Sequence, residues 1–134
     1  NSTRTNAAGV AFFEGVVRER GFETMVFDIP ASTLHLTTVC SSPKPGVLVA
    51  AEGHLTPEQF APLIEDGVEI LWVPNEESYA ANVIGFESGV VIISADYPET
   101  KRILEEAGFE TRSVDMAHIR AADGSLTCCS IFYD

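Results

Sequence analysis

The string "GSLTCCSIFYD" at residues 124–134 sets Cys128 and Cys129 side by side, and Cys40 is the third cysteine of the 134-residue chain. Adjacent cysteines are poor disulfide partners, because bridging them demands a strained backbone. Three cysteines without framework spacing fit a reducing compartment, where a thiol stays free to act as a nucleophile. Composition alone gives a plainer account. A cysteine in an apolar run is more often a small core residue than a nucleophile, and a histidine such as His35 in "LHLTTVC" is more often a satisfied core histidine. His54, just before a helix start at Thr56, and His118, near Asp115, read as solvated loop residues. The carboxylates of "PNEES" suit a surface as readily as an active site. A zinc site from Cys128, Cys129 and His35 is not expected, since the cysteine spacing does not suit a structural site, and no metal or other cofactor is assigned.

The elements that position these residues come from a chain of one-domain length, 46% hydrophobic and 21% charged, as in ordinary globular proteins. Apolar runs such as residues 90–94 are far shorter than the roughly 20 residues of a membrane helix. No charged start followed by an apolar stretch marks a secretion signal. A cytoplasmic location without membrane contact is the expectation. The net charge of −12, with 8 Lys and Arg in all, argues against nucleic acid, which is bound through clustered cations. Surface carboxylates that keep the protein soluble account for that charge most simply.

Internal similarity supplies the architecture. "RERGFETMVFDI" around Gly21 returns as "EEAGFETRSVDM" around Gly108, with a fainter copy, "IEDGVEILWVP", around Gly67, at spacings of 46 and 41 residues. Self-similarity at such a period indicates stacked or ring-arranged supersecondary units. In each copy a helix stops at the glycine and an extended run follows. Residues 7–20 follow a candidate N-cap, Asn6, and put Val10, Phe13 and Val17 on one face. "TPEQF" offers a capping box of Thr56 and Gln59 with Pro57 at the first helical position, while Pro62 is expected to shorten or kink that helix. The third helix is expected at 98–107.

Strands are expected at 23–29, 68–73 and 110–115. Second strands follow in "LHLTTVC", "NVIGFE" and "SLTCCSIFY". Past turns at Pro45-Gly46 and Ser88-Gly89, "VLVAA" and "VVIISA" give third strands. The repeat units fall near 1–46, 47–88 and 89–134 of a single domain, 1–134. Corresponding second strands carry His35, Asn82 and Cys128, and alternation along a strand sets Cys128 and Cys129 on opposite faces. Cys129 and Cys40 are then expected in the core. The first unit lacks a leading strand and the chain begins at Asn1 without an initiator Met, so a neighbouring piece is expected to complete the sheet.

Four strings in order, "STRTN" (2–6), "LHL" (34–36), "EESYAAN" (76–82) and "DGSLTCCS" (123–130), resemble the dimethylarginine dimethylaminohydrolases, which belong to the pentein superfamily of guanidino-group-modifying enzymes. The resemblance runs over the whole chain and corresponds to the C-terminal half of the family's usual length. It implies an α/β fold, a partial pentein propeller built of ββαβ modules around a pseudo-symmetry axis, with about two and a half modules present. Carried over position by position, it implies Cys128 as nucleophile and His35 as catalytic histidine. It also implies Arg4 as the planar bidentate donor for a substrate carboxylate, and Ala122, in the loop 120–124, as the carbonyl that accepts the substrate ammonium.

The implied reaction is hydrolysis of a guanidino substrate such as N-methylated arginine to citrulline and an amine. In it Cys128 attacks the guanidinium carbon, His35 protonates the departing amine, a thiouronium forms, and His35 then activates water. The family's guanidinium-binding carboxylates fall upstream of Asn1. The implied activity therefore calls for a complementing N-terminal fragment or partner chain, and a homo-oligomer is the other assembly expected. Thr127 and residues 131–133 do not match the cysteine context of arginine deiminases, which ranks methylarginine hydrolysis above arginine deimination. The alternative from another class is a non-catalytic half-propeller that binds a partner or ligand.

Overall fold

The computed structural model describes residues 4–133, so Ser2 and Thr3 of "STRTN" lie outside the described residues. The elements run α1 (Ala7–Arg18), α2 (Leu36–Val39), β1 (Cys40–Lys44), β2 (Val47–Ala51), α3 (Pro57–Glu65), β3 (Glu69–Val73), a 3-10 helix (Asn75–Ala81), β4 (Ile84–Gly85), β5 (Val90–Ser94), α4 (Pro98–Glu106), β6 (Glu110–Val114), α5 (Ala117–Ala121) and a 3-10 turn (Thr127–Cys129). Gly21, Gly67 and Gly108, the three repeat markers, take φ of 82°, 86° and 88°. That is the left-handed region in which a β-carbon is penalised. Each closes the same helix stop, in which the residue after the glycine donates to a carbonyl five positions back: Phe22 to Val17, Val68 to Leu63 and Phe109 to Leu104.

The helix starts are equally local. Asn6 Oδ1 accepts the Gly9 N–H at 2.9 Å ahead of α1, and Gln59 Oε1 accepts the Thr56 N–H at 2.8 Å ahead of α3. Pro62 sits inside α3, yet α3 has nine residues, as many as α4, which has no internal proline. The expected shortening does not occur. A proline there forfeits a single bond, to the Glu58 carbonyl in the first turn, and the capping box already secures that turn.

Strand pairing follows the chain twice. β1 pairs antiparallel with β2, and β2 pairs parallel with β3 across α3; β4 pairs antiparallel with β5, and β5 pairs parallel with β6 across α4. These are two ββαβ modules, residues 40–73 and 84–114. Their strands bury Val49, Ala51, Val73, Val91 and Ile93, and Phe60 of α3 and Leu104 of α4 are buried as well. Phe60 meets Trp72 edge-on at 5.6 Å between ring centres. The modules meet at β1 and β4, where a β-carbon on Gly85 would overlap the Pro43 carbonyl.

Glu77, from the string "EESYAAN", is a helix cap. Its carboxylate accepts the N–H groups of Glu99 (3.1 Å) and Thr100 (2.7 Å) and the Thr100 hydroxyl (2.8 Å) at the start of α4, filling donors that the Tyr97 side chain leaves open. Glu77→Ala is expected to cost about 2 kcal/mol, seen as a lower urea midpoint at unchanged slope. A midpoint equal to the parent's would show that α4 does not need this cap.

The packing divides the chain into two compact units, one ending at Leu36 and one beginning at Thr37. The second holds both modules. The first holds α1, none of whose residues is buried, and residues 22–30, which form neither helix nor strand. Residues 23–29 were expected as a strand and pair with none among the described residues, because β-forming residues make a strand only where a ladder partner is present.

Two further strand expectations are corrected. His35 stands immediately before α2, and Cys128 lies in the 3-10 turn. The backbone groups that a ladder would use are spent locally or on side chains. Asn82 takes the Thr37 carbonyl, and the N–H groups of Cys128 and Cys129 donate back to Ser125 and Leu126. No helix among the described residues is long and apolar enough to cross a membrane.

Candidate functional site

Leu126 is buried against Ile84 and Met116, and from that anchor the chain turns through Thr127, Cys128 and Cys129. The Cys128 and Cys129 N–H groups donate to the Ser125 and Leu126 carbonyls, both at 3.1 Å. A 3-10 turn does not alternate faces as a strand does, so both thiols reach solvent. The expectation that Cys129 packs into the core is thereby overturned. Cys40, the first residue of β1, is half-buried, and burial pushes its thiol up to about 11.

What separates Cys128 from its neighbour is Ser125. Its hydroxyl lies 3.2 Å from Cys128 Sγ, and Ser125 is itself buried. Hydrogen bonding from that hydroxyl first, and from the Ser125 backbone second, draws the Cys128 thiol below its usual range. Sequence reading did not single out Ser125. The available signal was a hydroxyl three residues before a cysteine, one turn away if the segment is 3-10 rather than extended.

Ala122 follows α5 as its C-cap, in a loop fixed from several sides. The Ala122 and Gly124 N–H groups both donate to the Ile119 carbonyl, Asp123 takes φ 59°, and a β-carbon on Gly124 would press on the Ile119 side chain. Tyr79 donates its hydroxyl to the Gly124 carbonyl at 2.7 Å. Arg120 lies 5.1 Å over the Tyr79 ring and donates to the Tyr97 hydroxyl at 2.6 Å. Burial, foremost, holds both phenols above their usual range, so the two tyrosines act as neutral struts.

In the first unit, Arg4 and His35 are both exposed and line one open cavity of about 680 Å³ with Phe13, Glu14, Met25 and Phe27. Glu14 is the one carboxylate among the described lining residues. It is engaged, since Oε1 accepts from Arg18 Nη2 at 3.2 Å and from the Thr24 hydroxyl at 2.8 Å. The cavity thus has a guanidinium and an imidazole among its lining groups. Of the four residues named from sequence, the structure brings Arg4 and His35 together in the first unit and sets Ala122 and Cys128 in the second.

No family model matches the chain. A dimethylarginine dimethylaminohydrolase of Pseudomonas aeruginosa is 31% identical over 130 residues, which are 97% of this chain and 48% of that protein. A second, from Streptomyces coelicolor, is 26% identical over 129 residues, 96% of this chain and 46% of that one. Among solved structures, the Pseudomonas aeruginosa enzyme as a cysteine-to-serine variant complexed with citrulline is 32% identical. It superposes with a TM-score of 0.79 over 96% of this chain and 48% of its own.

Over nearly its whole length the chain is similar to the dimethylarginine dimethylaminohydrolases, and it has their fold. It spans about half the length of the curated relatives it matches. An amidinotransferase from Microseira wollei, 18% identical, gives a TM-score of 0.80 over 92% of this chain and 38% of its own, which shows that the fold is shared across penteins of different chemistry. The ββαβ modules at 40–73 and 84–114 are pentein modules.

Proposed function

We propose that this protein hydrolyses a guanidino substrate such as an N-methylated arginine through a covalent intermediate on Cys128. The observation that carries this reading is the thiol itself. It is exposed, held on an anchored turn and drawn down by Ser125, within the string that resembles the family's. A guanidinium carbon is a weak electrophile with poor leaving groups, and a thiol step divides its hydrolysis into two easier ones.

The Cys128 thiolate adds to the guanidinium carbon, His35 gives a proton to the departing nitrogen, and the C–N bond breaks to leave an S-alkylthiouronium and free amine. Neutral His35 then takes a proton from water as the water oxygen adds to the same carbon. The C–S bond breaks, the thiolate returns, and a ureido product leaves. One water is consumed, and the products from a dimethylated arginine are citrulline and dimethylamine. Histidine suits both proton transfers because it titrates near neutrality. Arg4 takes the substrate carboxylate through two parallel N–H donors, and the Ala122 carbonyl accepts from the substrate ammonium. Carboxylates that orient the guanidinium come from a further segment or a partner chain. The engagement of Glu14 with Arg18 and Thr24 supports that division.

With the segment or partner that supplies those carboxylates present, incubation with asymmetric dimethylarginine is expected to release citrulline and dimethylamine in equal amounts, faster than arginine releases ammonia. Faster ammonia release would replace this substrate class with plain deimination. Neither product, together with a Cys128 as inert as Cys129 towards an amidine electrophile, would leave a partner- or ligand-binding pentein half.

A further inference from the structure

Asn82 ends the 3-10 helix Asn75–Ala81 as its C-cap and is 0% exposed. Its carboxamide is spent on two distant segments, each 45 residues away in sequence. Nδ2 donates to the Thr37 carbonyl at 2.5 Å and to the Thr127 hydroxyl at 2.9 Å, and Oδ1 accepts the Thr127 N–H at 3.1 Å. A carboxamide has two N–H donors and one carbonyl acceptor, so donors and acceptor are all in use. Thr127 immediately precedes Cys128, and Thr37 is two residues past His35.

A buried amide is costly unless satisfied, and core filling does not call for one here. The neighbouring buried positions are Ala80 and Ala81. Ser41, on β1, makes the ordinary structural tie beside it, taking the Val83 N–H at 3.0 Å and donating to the Ala81 carbonyl. Asn82 does something different, because it grips one residue, Thr127, at both its backbone and its side chain. That residue opens the turn on which Cys128 Sγ meets Ser125 Oγ at 3.2 Å.

We propose that Asn82 is a positioning residue for the Cys128 nucleophile, fixing Thr127 at its N–H and hydroxyl so that the turn holds the thiol against Ser125 and is tied to the Thr37 segment. The inference rests on the reading of Cys128 as the reacting thiol and deepens it. A merely structural asparagine would change melting temperature alone. A positioning one also changes the thiol, since the Ser125 hydrogen bond lasts only while the turn is held.

The test is the alkylation rate of each cysteine by iodoacetamide as a function of pH, resolved by peptide mapping on the folded chain. Asn82→Ala is expected to raise the midpoint of the Cys128 profile by about one pH unit and slow its alkylation near neutrality about tenfold, with Cys129 unchanged. Thr127→Val keeps the shape and removes the hydroxyl, and is expected to slow Cys128 about threefold. Thr127→Ser is expected to restore the parent profile. If Asn82→Ala does not fold by circular dichroism, the two Thr127 variants decide. An unchanged Cys128 profile in folded Asn82→Ala, or in Thr127→Val, overturns the inference while leaving the thiol reading intact. If the parent's Cys128 reacts no faster than Cys129, the thiol reading fails and the inference falls with it.

Discussion

Cys128→Ser is expected to abolish both labelling by an amidine electrophile and turnover of a guanidino substrate, whereas Cys129→Ser keeps most of each. A serine hydroxyl is scarcely ionised at neutral pH and is a far weaker nucleophile than a thiolate, so the loss at position 128 is expected to exceed about 1000-fold. Exposure does not favour either thiol, because both face solvent on the same short turn. Ser125 does, because its hydroxyl reaches Cys128 Sγ. Intact mass after labelling, followed by peptide mapping, reads the result directly. A label on Cys129, or one that survives Cys128→Ser, would move the nucleophile off Cys128. Cys40 is the internal control. With its thiol pushed up to about 11, its thiolate population near pH 8 is about 100-fold below that of a thiol at or under the ordinary value.

Helix ends were legible in the sequence because they are settled within a few residues. Gly21, Gly67 and Gly108 each relieve a left-handed turn, and Asn6 and Gln59 each satisfy a donor three positions away. The ββαβ order was legible for the same reason, since "VLVAA", "VVIISA" and the runs after Gly67 and Gly108 each find a partner close in the chain. The elements carrying His35 and Cys128 were not legible. Their strand-like residue types were overruled by hydrogen bonds to an amide 45 residues away and to carbonyls one turn back. His35, Asn82 and Cys128 were aligned as strand equivalents, and Asn82 turns out to hold the threonines beside the other two. Of the site, the residue types at 4, 35, 122 and 128 came from the family resemblance. Ser125 was missed because a hydroxyl three residues upstream meets the thiol only on a turn.

Raising the pH from 9 to 11 is expected to destabilise the chain by about 2 kcal/mol more than the same change destabilises Cys40→Ala. The sign follows from proton counts. An unfolded cysteine ionises near 9.0, while burial pushes the folded Cys40 thiol up to about 11. The thiol's contribution is therefore fully present below pH 9, where both states are protonated. Between the two values the unfolded chain holds one proton fewer than the folded chain, so stability falls with each rise in pH until the folded thiol also ionises.

Tyr79 and Tyr97, raised chiefly by burial as well, add losses of the same sign. The comparison with Cys40→Ala, in which they are unchanged, isolates the thiol. Denaturant titrations at several pH values in this window measure the difference, and equal slopes for the two proteins would mean that water reaches Cys40 in the folded state. Cys40 opens β1 and pairs with Ala50, so its ionisation would place a charge on the strand that meets β4. Because the folded Cys40 thiol ionises only near 11, an alkylation profile of Cys128 taken below about pH 10 is read with Cys40 still protonated.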